Sequence, residues 1–257
     1  MDVGLESVDV VILAGGLGTR IRSVLGETPK VLAPISGRTF LDFLLEWLKG
    51  MGARRVIFCL GFGAAQVQNH LQAQPLPGME LITVVEPEPL GTAGAIRFAR
   101  SHFRSDPVMI LNGDTFITTD LRDFLAEHHS AGSQLSLLCV QVSSTARFGR
   151  VELNADGWIQ RMLEKSQDQT GPGLINGGMY LFSTATLDRL AESKGSSLER
   201  DFFSNLPENT LRGIVRQAHF IDIGVPESLH QAGEFFKRAV QNQKLNPGSS
   251  PPSDIQT

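Results

Sequence analysis

Short continuous apolar runs alternate with helix-period segments through the first half of the chain, and this alternation constrains the fold more than any other feature. "DVVILA", "RRVIFCLG", "ELITVVE" and "PVMILNGD" are too short for buried helices and have no polar face. Such runs suit strands covered on both sides, as in a parallel sheet. Between them, "TFLDFLLEWLKGMG" places Leu41, Leu44, Leu45 and Leu48 on one helical stripe, with Gly50 and Gly52 as stop signals. "AAQVQNHLQ" predicts a short helix, "TAGAIRFARSHF" a helix with Thr92 as N-cap, and "DLRDFLAEHHSAG" a helix opened by Asp120. Strand, helix and strand in repetition imply right-handed βαβ units. The expected class is α/β: a Rossmann-like three-layer αβα fold with a mostly parallel central sheet.

The pattern changes near residue 134. "QLSLLCVQV", "GRVELNADGWIQRMLEK" and "GLINGGMYLFS" are extended, with a hairpin turn at Asp156-Gly157. They predict a smaller, partly antiparallel subregion. Short helices are expected over 184–191 and 198–205, then strand in "TLRGIVRQAHFIDIG", then a helix from Pro226. The reading is one domain over 1–243, with halves of about 8–133 and 134–225, a helix over 226–242 and a loose Pro/Ser-rich tail over 244–257.

The formal charge of −4 is spread over both signs, which does not suit a nucleic-acid partner. No apolar run reaches the roughly 18 residues of a membrane span. The N-terminus lacks the pattern of a secretory signal, so a cytoplasmic protein without a membrane partner is expected. Cys59 and Cys139 lie inside apolar runs, as buried thiols do, and His128 and His129 at a helix end are expected to be solvated. The histidines show no zinc-ligand spacing.

The first strand runs into "LAGGLGTRIRSVLGETPKVLAPI". Leu13 and Ala14 end the strand. Gly15, Gly16 and Gly18 permit positive φ and close backbone approach to an anion, and consecutive N–H groups can form an anion nest. Thr19 and Arg20 follow, and Lys30 comes after the stiff Pro29. At the C-terminal edge of a parallel sheet this is a polyphosphate site. A dinucleotide fingerprint fails because Ile21 stands where a third glycine belongs and no acid ends the second strand. A P-loop fails because no Gly-Lys-Ser/Thr follows. Asn112, Gly113 and Asp114 end the fourth strand in "ILNGDTF", and Asp222 holds a similar place in "FIDIGVP". Either acid alone reads as a turn aspartate. Two beside a triphosphate suit Mg²⁺, which takes one or two carboxylates and substrate phosphates.

These motifs resemble the signature of sugar-1-phosphate nucleotidylyltransferases over about residues 8–240. The resemblance implies that Gly15, Gly16, Gly18, Thr19 and Arg20 cradle a nucleoside triphosphate. It also implies that Lys30 contacts the reacting phosphate and that Asp114 and Asp222 hold the metal. In "VVEPEPLGTAGAIRFA", Glu86 replaces a glutamine of the thymidylyl enzymes, while Gly91 permits close approach to a base. A carboxylate only accepts hydrogen bonds, which fits the two donors on the guanine edge and repels the carbonyls of thymine. GTP is therefore favoured, with Glu88 the second candidate for the contact and backbone groups the third. The resemblance places Glu164 and Lys165 on the sugar phosphate, and Asn176, Gly177 and Gly149 near the sugar. Within the family, the chain looks most like the heptose 1-phosphate guanylyltransferases of surface-polysaccharide pathways. Mannose 1-phosphate enzymes, which usually add β-helix repeats absent here, and glucose 1-phosphate thymidylyl- or uridylyltransferases remain as alternatives. A non-catalytic sensor on the same fold is disfavoured by the retained cations and acids. Family analogy alone implies a homodimer.

Overall fold

The computed structural model describes residues 4–163 and 171–245. Glu164, Lys165 and the tail from 246 lie outside the described residues. In chain order the elements are β1 (Asp9–Ala14), α1 (Arg22–Leu25), β2 (Pro34–Ile35), β3 (Arg38–Thr39), α2 (Phe40–Gly50), β4 (Arg55–Leu60) and α3 (Ala64–Ala73). Next come β5 (Glu80–Val85), α4 (Gly91–Ala99), β6 (Val108–Asn112), β7 (Thr115–Ile117), α5 (Leu121–Ser130) and β8 (Leu135–Val142). The chain ends through β9 (Arg150–Leu153), β10 (Ile159–Leu163), β11 (Gly173–Phe182), α6 (Thr184–Glu192), β12 (Arg212–Arg216), β13 (Phe220–Asp222) and α7 (Pro226–Leu245).

The apolar runs pair in parallel in the order β6-β1-β4-β5. Successive side chains of a strand point to opposite faces, and β1 divides accordingly. Val10, Ile12 and Ala14 pack with the buried faces of α2, α3, α5 and α7. Val11 packs with Ala95 and Ile96 of α4 and Leu187 and Leu190 of α6. These are the three expected layers. α2 starts cleanly because Thr39 accepts from the Asp42 N–H while the Asp42 carboxylate accepts from the Thr39 N–H. No described helix is long and apolar enough to cross a membrane.

The antiparallel strands continue this sheet. β11 pairs antiparallel with β6, β8 and β9, and β12 runs parallel to β8. The β11–β8 register shifts between Asn176 and Tyr180, with Gly178 at φ +71°. The paired glycines thus form a bulge that lets β11 serve two neighbours.

Two local expectations are corrected. Thr92 is not the N-cap of α4. The N-cap is Leu90, two residues earlier, the Ser196 carbonyl accepts from the Ala93 N–H at 2.8 Å, and the Thr92 hydroxyl accepts from the Leu198 N–H at 2.8 Å. A neighbouring segment satisfies the helix end, so the side chain is released to hold that segment. His128 is not solvated. It is buried by β8, with Nδ1 2.8 Å from the Ser136 hydroxyl, and desolvation lowers its pKa to about 4.

Candidate active site

β1, β4, β5 and β6 end at one rim, and the loops leaving them are fitted together by absent side chains. The Gly113 N–H donates to the Leu13 carbonyl at 2.9 Å, and a Cβ on Gly113 would stand 2.7 Å from that oxygen. A Cβ on Gly61 would stand 2.7 Å from the Gly15 carbonyl, and one on Gly15 would stand 2.7 Å from Glu86 Oε1. Of the glycines at 15, 16 and 18, only Gly18 takes positive φ, at +62°. Gly16 differs from both neighbours: a Cβ there would meet nothing within 4 Å and its φ is not positive. The protein's own packing gives no reason for a bare backbone at Gly16.

Past Gly18, Thr19–Ile21 form a single 3₁₀ turn that carries Thr19 and Arg20 on the surface. A second turn, Lys30–Leu32, starts after Pro29 and sends the Lys30 side chain alongside Gly18. Lys30 Nζ donates to Asp114 Oδ2 at 2.9 Å, with the two side chains 18% and 28% exposed.

A small ribbon brings the second acid to the first. β13 pairs antiparallel with β7, setting Asp222 opposite Thr115, and the Ile223 N–H donates to the Asp114 carbonyl at 2.9 Å. Asp222 Oδ1 accepts from the Gly224 N–H, and a Cβ on Gly224 would lie 3.7 Å from Lys30 Nζ. Asp114, Asp222 and Lys30 therefore share one place. Among the described residues no group of three or more His, Cys, Asp or Glu converges. Two carboxylates whose neighbour is a seated ammonium fit a divalent cation completed by phosphate oxygens and water.

Glu86 ends β5. Its Oε2 accepts from the Leu90 N–H at 3.0 Å while Oε1 faces Gly15, and burial raises its pKa. Glu88 is exposed. Gly91, at φ +71°, has a protein neighbour: a Cβ there would stand 2.5 Å from the Ser196 carbonyl. Gly149 is buried in the turn before β9, at φ +77°.

The β11 bulge carries a second polar cluster. Asn176 accepts from the Gly178 N–H at 2.8 Å and donates to the Tyr180 hydroxyl at 3.0 Å. A Cβ on Gly178 would stand 2.7 Å from the Asn112 amide, and one on Gly177 would stand 2.7 Å from the Leu138 carbonyl. Tyr180 also hydrogen-bonds Asn112 and donates to Glu199 Oε1 at 3.2 Å. Ser197 donates to Glu199 Oε2 at 3.2 Å. Full burial and the Glu199 charge push the Tyr180 pKa well above its ordinary value. Sequence reasoning missed Tyr180 and Glu199. The available signal was the chain's single tyrosine set in an apolar run, since a buried hydroxyl requires a partner.

Residues 9–239 match the sequence profile of the family described as nucleotidyl transferase. The chain is 33% identical to the D-glycero-alpha-D-manno-heptose 1-phosphate guanylyltransferase of Aneurinibacillus thermoaerophilus, over 88% of this chain and 96% of that one. It is 31% identical to the mannose-1-phosphate guanylyltransferase of Mycobacterium tuberculosis, over 91% of this chain and 66% of that one. The crystal structure of HddC from Yersinia pseudotuberculosis complexed with GMP-PN superposes with a TM-score of 0.80 at 34% identity, covering 89% of this chain and 99% of that one.

Proposed function

Because the chain belongs to the nucleotidyl transferase family, we propose that it transfers a guanylyl group from GTP to a sugar 1-phosphate, best D-glycero-α-D-manno-heptose 1-phosphate, releasing pyrophosphate. The observation that carries this reading is the Lys30–Asp114 contact beside a glycine loop whose bare backbone at Gly16 its own packing does not require. The guanylyltransferases among its relatives supply the donor and the acceptor class.

A sugar-phosphate oxygen attacks the α-phosphorus of GTP. A new P–O bond forms as the bond to the bridging oxygen breaks, and pyrophosphate departs with that electron pair. The protein's share is placement and charge neutralisation. Backbone N–H groups of Gly15, Gly16 and Gly18 with Thr19 and Arg20 hold the β- and γ-phosphates. Lys30 turns from Asp114 to the α-phosphate. Asp114 and Asp222 would hold a divalent cation, Mg²⁺, which supplies positive charge against the phosphates when bound. Leu13, Ala14, Asn112 and Gly113 form the rim under the nucleoside, and Glu86 accepts from the guanine donors, with Glu88, Gly91 and Thr92 next to that contact in sequence. Asn176, Gly177 and Gly149 face the sugar, and Glu164 and Lys165 its phosphate. The working unit is 1–243, acting in the cytoplasm.

A panel of nucleoside triphosphates against sugar 1-phosphates, read by pyrophosphate release, tests this. GTP with the heptose 1-phosphate should give the highest kcat/KM. A preference for dTTP or UTP refutes the guanylyl reading, and a preference for mannose 1-phosphate favours the second acceptor, to which the mycobacterial relative points.

A further inference from the structure

A cavity of about 630 Å³ lies between β10 and the segment 199–211. Glu199 belongs to it and to the polar cluster at once, lining the cavity while its carboxylate holds Tyr180 and lies 3.5 Å from the Asn176 amide. A chain of contacts therefore leads outward from the reacting centre. Asn112 stands two residues before Asp114 and meets Tyr180, Tyr180 meets Glu199, and Glu199 opens onto the cavity. β10 gives the same direction, since it lines the cavity with Ile159–Met162 and ends just before Glu164. The cavity thus adjoins the acceptor side of the site, on the side away from Asp114.

Its walls suit a neutral polyol. Arg161 and Arg200 are balanced by Glu199 and Glu208, so the lining does not call for an anion. Among the described residues, neither the Arg161 nor the Arg200 side chain makes a hydrogen bond or ion pair, and both residues line the cavity, Arg161 from the edge strand β10. Met162 and Phe203 supply apolar surface for the carbon skeleton. Planar donor forks, carboxylate acceptors and an apolar floor are what adjacent hydroxyls on a short carbon chain require.

We propose that this cavity receives the exocyclic hydroxylated carbons of the acceptor, and that Arg161 and Arg200 select a sugar whose side chain is longer than the single CH₂OH of a hexose. The proposal rests on the reading of the acceptor as a sugar 1-phosphate. The test compares heptose 1-phosphate with mannose 1-phosphate in the wild type, in Arg161→Ala and in Ser204→Trp, which fills the cavity from its rim. Both substituted residues are exposed, and thermal melting of each variant verifies the fold. In both variants the ratio of kcat/KM for heptose over mannose 1-phosphate should fall about tenfold. An unchanged ratio in both, or an equal loss with both acceptors, overturns the proposal. The reaction itself is read from wild-type pyrophosphate release, so the two readings fail separately.

Discussion

Replacing Lys30 with methionine keeps the length of the side chain and removes its charge, and the effect on cation binding can be worked from the geometry. Unit charges 2.9 Å apart attract by ~1.4 kcal/mol at the dielectric of water and ~6 kcal/mol at an effective value near 20. Side-chain exposures of 18% and 28% place the pair between these limits. Desolvation offsets part of the attraction, leaving a net value of about 1–3 kcal/mol. In the protein without nucleotide, a divalent cation approaching Asp114 must displace this ammonium. Lys30→Met should therefore tighten Mn²⁺ binding about tenfold, since each 1.4 kcal/mol is a factor of ten. Turnover with GTP should fall in the same variant by about 10²-fold or more, because a group that neutralises charge on the reacting phosphate is gone. Its effect on the KM for GTP should be much smaller. Electron paramagnetic resonance of free Mn²⁺ measures the first quantity and single-turnover kinetics the second. Mn²⁺ affinity that stays the same or weakens would show that Lys30 does not occupy the cation's place. Near-wild-type turnover would remove it from the chemistry.

Glu86→Gln should lower the preference for GTP over dTTP about tenfold, and an unchanged ratio of kcat/KM would assign base choice to the backbone. Gly113→Ala puts a Cβ 2.7 Å from the Leu13 carbonyl oxygen, at a cost of about 1–3 kcal/mol; a melting temperature within 1 °C of wild type would show that the rim yields. His128 has a folded pKa of about 4 against 6.5, so between these values the unfolded chain takes up a proton that the fold refuses. Stability is thus complete above pH 6.5 and declines as pH falls towards 4, by up to about 3 kcal/mol. His128→Gln should flatten that decline in urea midpoints recorded across the range, and parallel slopes in the two proteins would refute the assignment.

The parallel half was legible because β1, β4 and β6 are buried along almost their whole length, so each reads as an unbroken apolar run, while α2 announces its buried stripe at helical spacing. The position of the glycine loop and of Asp114 was legible for the same reason: strand ends fix the rim. Contacts set by distant chain were not. No local pattern says that β13 pairs with β7, yet that pairing alone brings Asp222 to Asp114. The stretch 198–205 reads only as a short helix, and only the return of that segment to Tyr180 makes Glu199 part of the polar cluster. His128 looked like its neighbour His129 until β8 covered it. Nothing near Gly177 and Gly178 in the sequence says that β11 must shift register there to pair with both β8 and β6.

The sharing of β11 between the two halves has a consequence for how such a molecule can change over generations. Its C-terminal end is bonded to β6, which leads into Asp114, while its N-terminal end is bonded to β8 and β9. A continuous spine like this leaves no crease between β6 and the β8–β9 side, so on the proposed reading the alignment of the two reactants would be built in when the chain folds. The β9–β10 hairpin and the stretch around 199–211 hang from the margin of that spine. New acceptors can arise by rewriting those fringes while the machinery that handles the nucleotide stays as it was.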